Sequence, residues 1–376
     1  MNISKSYTIT LQQAYDLLQD LIDHPGERIT YLFEGEKGVG KTTLARTLAS
    51  HNPGHLFAEP IDLPTLMDGG IWMPALDHEL CTASEYPNDR WGLTASNRHG
   101  VDGARPVICM VDEVGKGTQG QQTAVTSILR EWRIGPYFFP TGSVVFGATN
   151  LSEEGLGDNM KGHLRNGLTT IRIAKPDFNA WAQSFAIPQG LDPYVIAACR
   201  LHPEVFHSYL DYREGGAYAG KKMNEWITDP KYPHVVCATP RSLHMASKIL
   251  QTSGTRPASV LEAALHGAVG SFAQEIMEVK KFGDQLPDFA DVVADPAHCP
   301  LPKQPTAQIL CTFKLINSVK TRAHADAVTT YVKRMSREMQ IMFASSCCNA
   351  KAGGVNALFG TVASFSALCA EHNDFF

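Results

Sequence analysis

The eight residues Gly35-Glu36-Lys37-Gly38-Val39-Gly40-Lys41-Thr42 constrain this chain more than any others. They match G-x-x-x-x-G-K-[ST] without a mismatch. The run Ile29-Thr30-Tyr31-Leu32-Phe33 ahead of them is apolar and β-branched or aromatic, which predicts a strand. The run Thr43-Leu44-Ala45-Arg46-Thr47-Leu48-Ala49 behind them has helical character. A strand, a glycine loop and a helix form a cradle for phosphate. The loop's backbone N–H groups close around the anion, and the helix points its positive end at it. In that cradle Lys41 reaches the β- and γ-phosphates, and the Thr42 hydroxyl ligates Mg²⁺.

A second run, Pro106-Val107-Ile108-Cys109-Met110-Val111-Asp112-Glu113, is apolar and ends in two carboxylates. That is the pattern of a strand buried on both faces, with its acidic end at the carboxyl edge of a parallel sheet. Asp112 is the candidate Mg²⁺ holder, and Glu113 the candidate general base on an attacking water. A third buried strand, Ser143-Val144-Val145-Phe146-Gly147-Ala148-Thr149-Asn150, also ends in polar residues. Asn150 comes 38 residues after Asp112, which places it between the other two strand ends and facing a γ-phosphate.

At 376 residues the chain has room for two domains and a further segment. A hydrophobic content of 44% supports a real core, and a net charge of −5 excludes a global basic field drawing the chain onto nucleic acid. Nine cysteines without a C-x-x-C pair favour reduced thiols in a cytoplasmic protein, and no run approaches a membrane span. Thr10 to Asp23 reads as a helix with a capping box from Thr10 to Gln13. Residues 51–105 read as irregular, Gln119–Arg130 as a helix, and Trp132–Phe139 as a hairpin around Gly135-Pro136. From Pro176 the chain reads as helices at Phe178–Ala186, Pro193–Arg200, Pro240–Gln251 and Ala258–Phe272. Residues 284–305 are proline-rich and read as a linker, and the 306–376 tail as helical, notably over Ala325–Phe343.

The ordered motifs resemble those of AAA+ ATPases. Asn150 matches their sensor 1. Ala238-Thr239-Pro240-Arg241-Ser242 is similar to their sensor 2, with Arg241 reaching the γ-phosphate of its own subunit. Within that family the chain resembles the MoxR-like group, in bacterial or prophage form. Residues 60–105 have room for that group's insertion, Trp132–Phe139 matches its hairpin, and Asp62–Gly70 is similar to its polar, glycine-bearing stretch. The tail Tyr331–Gln340 resembles a segment found in such members.

The resemblance implies a P-loop αβα nucleotide domain over 1–175, a helical lid over 176–283, the 284–305 linker and a helical extension over 306–376. The nucleotide-binding set is Gly35, Glu36, Lys37, Gly38, Val39, Gly40, Lys41, Thr42 and Thr43, with Thr42 and Asp112 on the metal. Glu113, Asn150, Arg165 and Arg241 form the catalytic set. It further implies ATP and Mg²⁺, a homo-hexameric ring, a partner with a von Willebrand factor A domain, and a protein client to remodel. A DNA-acting motor, with Arg90, Arg98 and Arg105 available, and a slowly hydrolysing assembly switch stay open. One departure stands out. The family places an arginine finger in a stretch like Leu-x-Asn-Arg-Phe, but here the stretch reads His163-Leu164-Arg165-Asn166-Gly167-Leu168. Gly167 stands at the arginine position, Arg165 two residues before it, and Lys161 and Arg172 are the other nearby cations.

Overall fold

Alternation along the strands decides the layers. In the computed structural model, which describes residues 8–375 except 27, 68–69, 80, 152–161, 255 and 349–353, Ile108 and Met110 face one side of the central sheet. Val107, Cys109 and Val111 face the other. Both faces are covered, so the strand is apolar at every position rather than at every second one.

In chain order the first unit has β1 (Thr8–Ile9), α1 (Leu11–Asp23), β2 (Tyr31–Glu34), α2 (Lys41–His51), β3 (Leu56–Asp62), β4 (Trp72–Asp77) and β5 (Thr82–Pro87). There follow β6 (Val107–Asp112), α3 (Gln119–Ala124), α4 (Thr126–Glu131), β7 (Arg133–Ile134), β8 (Tyr137–Phe138), β9 (Val144–Thr149), α5 (Gly162–Arg165) and β10 (Thr169–Ile173). Six strands form one parallel sheet in the order β1-β10-β2-β9-β6-β3. One layer packs Ala14 and Leu18 of α1 and Leu44 and Leu48 of α2 on Phe33 and Phe146. The other packs Ile128 and Leu129 of α4 on Leu32 and Val145. The capping box that starts α1 is present in both directions, Gln13 N–H to Thr10 Oγ1 and Thr10 N–H to Gln13 Oε1.

Three readings are corrected here. Residues 51–105 are not irregular: they contain β3, the edge strand of the sheet, and the separate hairpin β4–β5. Pro60 hid β3 from view, yet an edge strand tolerates proline, and the register slips between Ala58 and Ile61, on either side of it. The helix expected over Gln119–Arg130 is two helices, Gln119–Ala124 and Thr126–Glu131, interrupted at the single residue Val125 (φ −86°, ψ −2°). The run Ala325–Phe343 likewise spans two helices, Arg322–Val332 and Arg337–Cys347, because Ser336 caps a new start.

The second compact unit, 176–376, is helical. One apolar cluster runs through it from Phe178 to Leu368. Residues 284–305 carry the short helix Phe289–Ala294 and bury Val292 and Cys299 in that cluster. Among the described residues no helix is long and apolar enough to cross a membrane.

Candidate active site

The carboxyl ends of β2, β6 and β9 bring the motif residues together. β9 lies between β2 and β6, so Asn150, just past its end, stands between the loop after β2 and the carboxylates that close β6. Gly38 and Gly40 take left-handed backbone (φ 77° and 108°), which lets the loop fold back on itself before α2. A Cβ on Gly40 would also meet Leu11 Cδ2 at 3.0 Å.

Lys41 is only 7% exposed, and its ammonium is held at three points. Nζ donates to Gly35 O at 2.7 Å, to Glu36 O at 3.0 Å and to Asn150 Oδ1 at 2.8 Å. The other end of the Asn150 amide donates to both Glu113 oxygens, at 2.9 and 3.0 Å. Thr42 Oγ1 donates to Asp112 Oδ2 at 2.7 Å, and Asp112 Oδ1 accepts the Glu113 backbone N–H at 2.9 Å. Glu113 itself has left-handed backbone (φ 54°), a conformation that costs a non-glycine residue about 1–3 kcal/mol and that clusters at functional sites. The arrangement thus links the Lys41 ammonium to the Glu113 carboxylate through one amide.

The residues present fit a nucleotide with Mg²⁺. Gly38 and Gly40 give the loop its left-handed turns, Lys41 supplies a buried cation, and a hydroxyl beside a carboxylate is a hard-oxygen donor pair. Thr42 and Asp112 would hold the ion, which would neutralise charge on the β- and γ-phosphates.

Two residues escaped the sequence reading. Lys116 Nζ lies 2.9 Å from Glu113 Oε2, in the short turn Val114–Lys116, and its i+3 spacing was the only signal available. Asp62 ends β3 in register with Asp112. Burial, then the Glu113 and Asp112 charges, push its carboxyl up, while Lys116 pulls it down.

Arg165 pairs with Glu34, the buried last residue of β2 in the same chain. Arg172 is in β10, opposite Glu34 in register. Gly167 is overlaid by the side chain of Arg130. Arg241 is an exposed residue of the second unit, in the first turn of the helix Pro240–Gln251 that Thr239 caps. Lys161, Asp68 and Gly69 lie outside the described residues.

The Arg165–Glu34 pair makes a stability prediction. Arg165→Ala strands a buried carboxylate, so a loss of roughly 1–2 kcal/mol is expected after discounting for the half-exposed arginine. Urea titration should show the midpoint falling, and Glu34→Gln in the same background should recover most of it. An unchanged midpoint in Arg165→Ala would deny the pair any structural role.

No protein-family model matches the chain, and no curated protein matches it. Among solved structures, the RuvB Holliday junction branch migration motor of Thermotoga maritima is 15% identical, with 77% of this chain and 75% of that chain covered and a TM-score of 0.33. NtrX from Brucella abortus in complex with ATP is 14% identical, with 96% of this chain and 68% of that chain covered and a TM-score of 0.35. At such TM-scores the likeness carries no argument, and the fold class stands on the sheet itself. Core order β10-β2-β9-β6-β3, a P-loop after β2, paired carboxylates after β6 and a polar residue after β9 make this a P-loop αβα fold with a parallel sheet.

Proposed function

We propose that the chain is a MoxR-like AAA+ ATPase that assembles as a ring and uses ATP hydrolysis to remodel a protein client. The observation that carries the ATPase reading is the run Lys41–Asn150–Glu113, set beside the Thr42–Asp112 pair. A γ-phosphate arriving at Lys41 competes for the ammonium and for the Asn150 amide. Asn150 then turns from Glu113 toward the phosphate, and the freed carboxylate takes a proton from the attacking water. Arg241 reads the same phosphate from the helical lid.

The finer assignment to the MoxR-like group rests on the hairpin β7–β8 ahead of β9 and on the insertion that holds β4–β5. With it come a homo-hexamer, a cytoplasmic location and a partner carrying a von Willebrand factor A domain. Assembly is the test of the ring. Light scattering at micromolar protein should give a larger particle with a slowly hydrolysed ATP analogue than without nucleotide. One monomer mass under both conditions would remove the ring from this reading.

A second reading has one observation in its favour. Tyr86 of β5 stacks on Tyr137 of β8 at 6.1 Å, and Arg98 lies 5.0 Å over the Tyr137 ring. An aromatic pair beside a cation suits stacked bases of a single strand. Stimulation of the ATPase by single-stranded DNA, and not by protein clients, would promote this reading over the first.

A further inference from the structure

Position 167 lacks the arginine that the resemblance implies there, yet the side chain of Arg130 lies over it. A Cβ built on Gly167 would meet Arg130 Nε at 2.5 Å, Cδ at 2.7 Å and Cγ at 3.0 Å. Arg130, in the last turn of α4, therefore lies across the bare backbone of Gly167 and fills the volume that a side chain at 167 would take. We propose that Arg130 is the arginine finger of this protein, supplied from α4 and acting on the nucleotide of the neighbouring subunit. The proposal rests on the ring reading above.

Three features support it. First, the guanidinium is available. Arg130 is exposed and has no hydrogen bond or ion pair among the described residues, whereas Arg165 is committed to Glu34 of its own chain. Second, its backbone is held on both sides. Buried Thr30 donates through Oγ1 to Leu129 O and accepts Trp132 Nε1–H at 2.6 Å, which clamps both sides of Arg130. The carbonyl of the same Thr30 accepts the N–H of Thr169 at 2.9 Å, so one residue ties the end of α4 to the strand that follows Gly167. A finger needs this combination, since a guanidinium on a fixed base gives up little freedom when it engages a phosphate.

Third, Arg130 stands at the wrong edge of the sheet for its own nucleotide. Gly167 precedes Thr169, which pairs with Tyr31 at the start of β2, whereas the P-loop follows Glu34 at its end. The length of β2 separates the two edges, roughly 10 Å at strand rise. A cation presented there serves a phosphate that another copy of the chain brings to it.

The test measures hydrolysis, ATP binding and particle mass together. Arg130→Ala is expected to bind ATP and to assemble as the wild type does, and to hydrolyse about 10³-fold more slowly. Arg130→Lys should remain slow, because one ammonium does not reproduce the planar fork. Gly167→Arg added to Arg130→Ala should restore much of the rate, since Gly167 has an ordinary negative φ and the space above it is then vacated. Mixing Arg130→Ala with Glu113→Gln subunits should also restore activity, because some interfaces then join an intact base to an intact arginine. Full activity in Arg130→Ala, with the wild type assembling normally, overturns the proposal and leaves the ring standing. So does a slow Arg130→Ala that mixing cannot rescue, for the arginine then acts within its own subunit. A wild type that hydrolyses ATP as a monomer overturns ring and finger together.

Discussion

Replacing Glu113 with glutamine is expected to leave ATP binding intact and to stop turnover. The exchange keeps the shape of the side chain and one oxygen to accept from the Asn150 amide, which now donates to both carboxylate oxygens at 2.9 and 3.0 Å. Lys41, Thr42 and Asp112 keep their own contacts, so the phosphate and metal positions survive. What disappears is a group able to take a proton from water, a function worth typically 10²–10⁴-fold in rate. The salt bridge from Lys116 to Glu113 is lost as well, but it is part-exposed and contributes little to the fold. Steady-state phosphate release should therefore fall by at least about 100-fold, with the dissociation constant for ATP close to that of the wild type. Hydrolysis near the wild-type rate would take Glu113 out of the reaction and turn attention to Asp62, the next carboxylate along the sheet edge.

The part of the site legible in the sequence is the part made locally. The P-loop carries its own chemistry in consecutive residues, and β6 and β9 declare themselves because burial on both faces demands unbroken apolar runs. Asn150 was readable from its place at the end of such a run. β3 was not, because Glu59 and Pro60 interrupt its pattern, and only its edge position makes that acceptable. The hairpin β4–β5 escaped for a related reason. Its side chains are largely exposed, with Met73 55% and Leu76 69% exposed, so no inward face repeats at every second residue. Arg130 and Gly167 are 37 positions apart and meet only when α4 and the approach to β10 pack together, and no local pattern records such a meeting. The same holds for Arg165 and Glu34, 131 positions apart, whose ion pair joins the end of α5 to the end of β2.

Lys41→Ala separates binding from chemistry in the opposite sense to Glu113→Gln. The ammonium is buried and makes three hydrogen bonds, two to loop carbonyls and one to Asn150. Removing it withdraws the buried cation that the loop offers a phosphate from within the motif. A hydrogen bond to a charged group is worth about 1.5–3 kcal/mol. Calorimetry should accordingly give an ATP dissociation constant roughly 10- to 150-fold weaker. The loss should reach further than affinity, because Asn150 Oδ1 loses its donor and the amide is no longer held where an arriving phosphate can draw it from Glu113. Hydrolysis at saturating ATP should fall as well, which a pure loss of binding would not produce. Lys41→Arg should not rescue it, since the fork of a guanidinium is larger than an ammonium enclosed by Gly35, Glu36 and Asn150. If ATP binds Lys41→Ala as tightly as it binds the wild type, the phosphate is held by the loop's backbone amides and the α2 N-terminus alone, and Lys41 serves instead to set the orientation of Asn150.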